Sequence, residues 1–142
     1  MLSAEATAGL QAELLATGKI RNGLSITATG PTEITYRRVS LQPSGFTGWH
    51  YHPGPVAVVV KSGVLTRMFC DGSSEVSGPG ESIIEPAGPE HVHAGCNRGD
   101  VPVVLYMVYF IPHGAEHAVA TEVPPIWQPS GIPAPTGLET AA

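Results

Sequence analysis

The chain has 142 residues, of which 42% are hydrophobic and only 13% are charged, and its formal net charge is -5 at pH 7. A chain of this length is the size of one domain with a single core. The charged fraction is well below the usual quarter, so we expect part of the surface to be hidden in a homodimer. The negative charge and the scattered Lys and Arg residues argue against nucleic acid as a partner.

The first residues, MLSAEATAGLQAELLATGK, contain neither a basic leader nor a long apolar run. We therefore expect no secretory signal and no membrane anchor, and predict a cytoplasmic protein. Cys70 and Cys96 lack CxxC spacing. In a reducing compartment we expect them to be small buried thiols rather than a disulfide.

Residues 4–16 carry Ala, Leu, Glu and Gln in helical spacing, with Ser3 as a cap and Gly18 as a stop. This pattern predicts a short N-terminal helix within a segment spanning residues 1–22. From residue 23 the sequence changes to short apolar or alternating runs separated by Gly and Pro. Strands are predicted at residues 24–29, 33–41, 48–52, 56–61, 64–70, 81–85, 90–95, 101–111 and 118–123.

This strand spacing predicts an all-β domain over residues 23–123, built as a sandwich or a barrel. The sequence shows no βαβ alternation, which disfavours a parallel sheet. Residues 124–142 are rich in proline, which cannot donate to a strand ladder, and are predicted to be a C-terminal tail. Trp127 is expected to attach part of this tail to the body of the protein.

An HxH pair occurs twice, in GWHYHPGP at residues 48–55 and in EHVHAG at residues 90–95. Alternate residues of a strand share a face, so His50 and His52 should project together, as should His91 and His93. Two such strands side by side would bring four imidazoles to one volume, and imidazole is the commonest protein ligand for transition metals. Left unpaired in an interior, these rings would be costly to desolvate. A metal site is therefore favoured over four hydrogen-bonded core histidines.

The other two histidines, His113 and His117, follow the last long apolar run, in IPHGAEHA. We interpret them as loop residues without a functional role.

The stretch GWHYHPGPVAVVVKSG resembles the first motif of the cupin superfamily, in which a glycine precedes HxH and a glutamate and then a glycine follow. The stretch GESIIEPAGPEHVHAGCN resembles the second motif, with Gly80, Pro86, Gly88 and His91 in the expected spacing. The resemblance implies a cupin double-sheet β-barrel, a jelly-roll-like sandwich, that holds one metal between the two motifs. It implies His50, His52 and His91 as ligands.

The sequence departs from the family pattern at two positions. The family's glutamate falls on Val56 or Ala57, and the family's asparagine, four residues after the histidine, falls on Gly95 instead of Asn97. We predict that His93 replaces the missing carboxylate. The expected site is then one divalent ion per chain bound by His50, His52, His91 and His93, with zinc expected first and iron, nickel and copper left open.

The runs beside the motifs are almost wholly apolar and predict a hydrophobic pocket above the metal. Its expected lining residues are Phe46, Trp49, Tyr51, Arg67, Tyr106 and Tyr109. Further candidate polar participants are Tyr36, Arg37, Arg38, Glu85 and Glu90.

Around both motifs the chain resembles the cupin-type polyketide cyclases of antibiotic biosynthesis. That resemblance implies intramolecular aldol condensation and aromatisation of a hydrophobic poly-β-ketone, free or bound to a carrier protein, with a metal-bound water as the base. Two other classes stay open, a cupin dioxygenase with a redox metal and a non-catalytic cupin that binds a metal or small molecule. The missing carboxylate is the reason to favour Lewis-acid chemistry over oxygen activation.

Overall fold

A computed structural model describes residues 8–129, which form two antiparallel β-sheets packed face to face. The strands are β1 (Thr32–Leu41), β2 (His50–Tyr51), β3 (Val56–Ser62), β4 (Leu65–Phe69), β5 (Ser74–Ser77), β6 (Ser82–Glu85), β7 (His93–Cys96), β8 (Val103–Pro112) and β9 (Val119–Ala120). One sheet has the order β1-β8-β3-β6 and the other the order β5-β4-β7-β2-β9. Two short 3₁₀ helices span Pro89–His91 and Pro125–Trp127. The predicted all-β double-sheet architecture is confirmed.

The main core lies on the inner face of the four-stranded sheet. Alternate residues of β3 and β8 are buried there, as the period of a strand with one covered face requires. Each fully buried aliphatic side chain of this kind contributes roughly 1.5–3 kcal/mol. The buried cluster consists of Leu41, Val56, Val58, Val60, Leu65, Val103, Leu105, Met107, Tyr109 and Ile111.

The predicted N-terminal helix is wrong for the part of it that the structure describes, because residues 8–18 contain no helix. Leu10, Leu14 and Leu15 are all exposed, so the large apolar side chains of this segment are not buried against the sheets. A short helix in water depends on tertiary packing of its apolar face, and here that packing is missing. The rest of the predicted helix, residues 4–7, lies outside the described residues. Lys19 instead forms an isolated parallel bridge with Glu81, next to β6.

Several strand predictions differ from the structure, and the predicted strand at 48–52 is reduced to His50–Tyr51. Residues 24–29 form no strand, and only Val119–Ala120 of the run 118–123 pairs. The polar strand β5 was not predicted, because SEVS shows no apolar alternation and is recognised only through its pairing with β4. The predicted strand at 90–95 is divided, since Pro89 begins a 3₁₀ turn and pairing begins only at His93.

The first part of the predicted tail is attached to the body of the protein. The Trp127 indole N–H donates to the Phe69 carbonyl at 2.7 Å, and its ring lies 5.7 Å from that of Trp49. Val123 and Trp127 pack against the second buried cluster, which contains Trp49, Met68 and Ala94. Residues 130–142 lie outside the described part of the chain.

Both cysteines are free thiols, and Cys70 is exposed rather than buried. Cys96 is half-buried. No helix among residues 8–129 is long and apolar enough to cross a membrane.

Candidate metal centre

Three of the four predicted histidine ligands meet inside the barrel. His50 of β2 is the direct cross-strand partner of His93 of β7, and His52 follows two residues later on the same side. The ring centroids of His50 and His93 are 4.4 Å apart, and those of His50 and His52 are 4.9 Å apart. One nitrogen from each of the three rings lies within 4.8 Å of the others, which is a spacing that a single ion can bridge.

Backbone carbonyls determine which nitrogen of each ring faces this space. The Nδ1 atoms of His50, His52 and His93 lie 2.9, 2.7 and 2.9 Å from carbonyl oxygens of residues 48, 117 and 91. A carbonyl can only accept a hydrogen bond, so each Nδ1 carries a proton and donates. In the neutral ring Nε2 then holds a lone pair, which is the form that binds a metal. The sequence did not reveal this role of the His117 carbonyl, because it depends on a contact 65 residues away.

Glu85 of β6 completes the cluster with a carboxylate. It is only 6% exposed, and its Oε1 and Oε2 lie 3.0 and 3.1 Å from Nε2 of His52 and of His93. His93 Nε2 is buried, and apart from the Glu85 oxygen 3.1 Å away it has no polar partner in the described structure. The Nε2 lone pairs and the carboxylate oxygens therefore face one another, and there are too few N–H donors to pair all of these acceptors. A divalent cation satisfies such a set of donors, so these residues fit a metal.

Burial and charge act in opposite directions on these groups. Burial lowers the pKa of His50 to about 4, although the hydrogen bond to Gly48 partly offsets it, so the ring is neutral at neutral pH. Burial raises the pKa of Glu85, but hydrogen bonding and charge from His52 and His93 outweigh it and leave that pKa well below its ordinary value. Burial lowers the pKa of His93, but Glu85 outweighs it and leaves a net increase. The carboxylate is thus ionised and attracts a cation.

Arg67 holds the outer side of the Glu85 carboxylate. The Arg67 side chain is almost fully buried, with Nη1 3.7 Å from Glu85 Oε2 and Nη2 3.0 Å from Glu75 Oε1. Arg67 is thus hydrogen-bonded to Glu75 and forms a longer ion pair with Glu85 Oε2, the oxygen that also contacts His93.

The structure leaves His91 outside the cluster. It ends the 3₁₀ turn Pro89–His91, its side chain is 46% exposed, and its nearest acidic contact is Glu90 at 4.0 Å. The expectation that it shares a strand face with His93 fails because no strand exists at residue 91. Its backbone carbonyl has the different role of orienting the His93 ring.

The sequence contains one signal that distinguishes His91 from His93, namely their distance from Asn97. Counting four residues back from Asn97 leads to His93, whereas the spacing from Gly88 pointed to His91. Asn97 is 2% exposed, and its amide donates to the carbonyls of Leu41 and Val101 at 3.0 and 2.7 Å. It therefore stabilises the loop after β7, and β7 delivers His93.

The position of Glu85 is explained by sheet register. Glu85 is the cross-strand partner of Val56, one of the two positions where the family's first motif has its glutamate. The chain thus supplies a carboxylate at this place from β6 instead of β3. From the sequence Glu85 is only a candidate polar participant, since nothing local shows that residues 56 and 85 are opposite each other.

A cavity of about 430 Å³ opens from the cluster. Of the six residues predicted to line a pocket, Trp49, Arg67 and Tyr109 do so, while Phe46, Tyr51 and Tyr106 are not among its lining residues. Phe46 packs in the second cluster, and Tyr106 lies under the Lys61 ammonium. Of the further polar candidates, Arg37 and Glu85 line the cavity, whereas Tyr36, Arg38 and Glu90 are exposed and do not. The apolar part of the wall was not assigned from the sequence and includes Val39, Leu65, Leu105 and Met107.

The sequence profile of the Cupin domain matches residues 37–109, slightly more than half of the chain. This range contains the three clustered histidines and Glu85. The chain therefore belongs to the cupin family, as the resemblance of its two motifs implied. A search of curated protein sequences gave no match.

Solved structures share the same fold at low sequence identity. The polyketide cyclase RemF from Streptomyces resistomycificus is 22% identical, with a TM-score of 0.54, over 68% of this chain and 68% of its own. The DMSP lyase DddQ from Ruegeria pomeroyi is 19% identical with a TM-score of 0.53, and the match spans 62% of this chain but only 43% of the lyase. A double-stranded β-helix protein from Klebsiella pneumoniae is 19% identical with a TM-score of 0.54, over 79% of this chain and all of its own. These neighbours show the fold, and the two with a named activity, a cyclase and a lyase, catalyse different reactions.

Proposed function

We propose that this cupin is a metal-dependent enzyme that closes rings in a poly-β-ketone chain by intramolecular aldol condensation, in antibiotic biosynthesis. The observation that carries the proposal is the set of three Nε2 atoms and one carboxylate at the base of a cavity whose other walls are largely apolar. A cavity of this kind suits a hydrophobic molecule with several oxygens. The cyclase RemF, which has a similar fold, supports this substrate class.

His50, His52, His93 and Glu85 would hold the metal. When bound, a divalent metal acts as a Lewis acid on carbonyl oxygens and makes the neighbouring CH₂ group more acidic. The reaction is redox-neutral, since each condensation followed by dehydration forms one carbon–carbon bond and releases one water. It needs no oxidant.

The remaining residues of the cavity orient the chain and exclude water. Leu65, Leu105 and Met107 provide an apolar wall against which the ketone chain can fold, so that reacting carbons are held near each other. Burial raises the pKa of the Tyr109 phenol, although Arg37 opposes this, so the hydroxyl keeps its proton at neutral pH. The hydroxyl donates a weak hydrogen bond to Met107 sulfur at 3.5 Å, and its other close polar neighbour is the Arg37 side chain. We infer that Tyr109 donates a hydrogen bond to a substrate oxygen.

A cupin dioxygenase is the second candidate, and Glu85 is the observation that favours it. The first motif contains no carboxylate beside its histidines, and this was the reason to disfavour oxygen activation. Glu85 removes that reason, since it gives the cluster a carboxylate as in other iron oxygenase sites. The bound metal and the oxygen requirement distinguish the two candidates.

The test uses zinc-loaded protein and a poly-β-ketone generated in situ by a minimal polyketide synthase. We expect an aromatic product, seen as loss of water by mass spectrometry, at the same rate with and without oxygen. The product should be lost in His50→Ala and retained in His91→Ala, a matched control whose side chain is outside the cluster. Oxygen consumption coupled to turnover when the same protein is loaded with iron would establish the dioxygenase instead. Ring closure no faster than the spontaneous reaction would refute the cyclase.

A further inference from the structure

Arg37 projects toward the cavity from β1. It is the cross-strand partner of Met107, whose side chain faces the core, whereas its neighbour Arg38 is the partner of Tyr106 on the outer face. Arg37 lines the cavity and Arg38 does not. Two adjacent arginines are thus placed on opposite sides of the same sheet.

The Arg37 guanidinium lies near the metal cluster. Its Cζ is 5.7 Å from the centroid of the Tyr109 ring, and that ring is 5.8 Å from the ring of His52. Arg37 and the cluster therefore contact the same tyrosine from two directions. Because Arg37 is solvent-exposed at its end of the cavity, its charge stands at the entrance, while the histidines lie at the base.

Arg37 has no acidic partner among residues 8–129, since it takes part in none of the salt bridges there. The other arginine of the cavity, Arg67, is neutralised by Glu75 and Glu85. Glu85 is the only acid among the described lining residues, and it is engaged by the histidines and Arg67. The cavity thus presents one cation without an acidic partner, and the guanidinium donors that do not contact Tyr109 can bind a ligand.

We propose that the cavity takes substrates that carry a carboxylate, which Arg37 binds at the entrance while a ketone oxygen of the same molecule reaches the metal cluster. An arginine fork matches a carboxylate in a bidentate way that no neutral carbonyl reproduces. The inference rests on the proposed function in naming the ketone. It makes that function more specific, since a polyketide with a free carboxylate has left its carrier protein, whereas a thioester-bound chain has no such group.

The test measures equilibrium binding to zinc-loaded protein by calorimetry with two pairs of probes. One pair is succinylacetone, a β-diketone with a carboxylate, and its methyl ester. The other is benzoate and methyl benzoate, which lack the diketone. We expect each acid to bind the wild type at least about tenfold more tightly than its ester, as for a charge-assisted hydrogen bond. Arg37→Met should lose this preference without weakening ester binding, and Arg37→Lys should keep part of it.

Arg38→Met is the matched control, because it removes the same charge from the adjacent residue on the outer face. It should bind all four probes as the wild type does. If Arg37→Met and Arg38→Met weaken acid binding equally, the preference reflects the net charge of the protein. If Arg37→Met weakens acid and ester binding equally, the effect comes from lost packing against Tyr109. Either result, or a wild type without preference for acids, overturns the proposal.

These measurements do not depend on turnover. A preference for both acids that disappears in Arg37→Met would keep the carboxylate site even if no ring closure were found. Ring closure without any preference for acids would support the proposed cyclase function and refute the carboxylate site at Arg37.

Discussion

At the scale of single residues, the candidate site depends on three backbone carbonyls. Each accepts the Nδ1 proton of one histidine, so that every ring presents Nε2 to the same space. The His91 carbonyl performs this task for His93, although the His91 side chain is directed away from the cluster. A substitution of the His91 side chain leaves the backbone carbonyl of residue 91 in place. His91→Ala and His93→Ala should therefore affect metal binding differently.

We predict that His93→Ala lowers zinc affinity by at least about 100-fold, since loss of even an outer partner of a ligand costs about 10- to 100-fold. His91→Ala should leave the affinity unchanged, because the carbonyl that orients His93 remains. Competition with a chromophoric chelator measures both affinities. A larger loss in His91→Ala than in His93→Ala would contradict the assignment of the ligands.

At the scale of elements, strand pairing decides where the carboxylate comes from. The register of β3 against β6 sets Val56 opposite Glu85, and the register of β2 against β7 sets His50 opposite His93. Opposite residues on one face of an antiparallel pair have Cβ atoms about 5 Å apart. A carboxylate on either member of the first pair is therefore near the same histidines.

This geometry predicts that metal binding is recovered when the carboxylate is moved from residue 85 to residue 56. Glu85→Val should reduce metal affinity at least about tenfold, because it removes a charged oxygen donor from the site. The double variant Val56→Glu with Glu85→Val should recover most of that loss, since the carboxylate returns from β3. Calorimetric titration with zinc tests this, and Glu90→Gln, which changes an exposed acid outside the cluster, serves as the control. A folded double variant that binds no better than Glu85→Val would show that β3 cannot supply the carboxylate.

At the scale of the whole molecule, the candidate site joins the two sheets. Glu85 belongs to the four-stranded sheet, while His50 and His93 belong to the five-stranded sheet. A metal held by all of them would be bound only by the folded arrangement and would stabilise it by mass action. The outer face of the four-stranded sheet also carries exposed Ile34 and Tyr36, and the homodimer stays a prediction.

We predict that chelation lowers the thermal midpoint by about 10 °C. Free metal at 100 times its Kd stabilises the folded state by about 2.7 kcal/mol, and each kcal/mol shifts Tm by roughly 2–8 °C in domains of this size range. Scanning calorimetry with and without chelator measures the shift. His50→Ala should show none, and an unchanged midpoint in the wild type would mean that metal does not hold the sheets together.

Local patterns were sufficient for much of this protein. Short apolar or alternating runs bounded by Gly and Pro predicted β1, β3, β4, β6 and β8, because buried strands need apolar residues and turns need those two residue types. The spacing of GWHYHPGP predicted that His50 and His52 share a face, and the two motifs together predicted the family. Each of these properties depends on residues close together in the chain.

Only the tertiary structure decided which other groups join those two histidines. Whether His91 or His93 faces the cavity depends on a 3₁₀ turn at Pro89 that ends where pairing with β2 and β4 begins. The role of Glu85 depends on a register between residues 29 positions apart, and that of Arg37 on which side of β1 packs against the core. Such choices are made by contacts between distant segments, and apart from the spacing of His93 to Asn97 no local pattern records them.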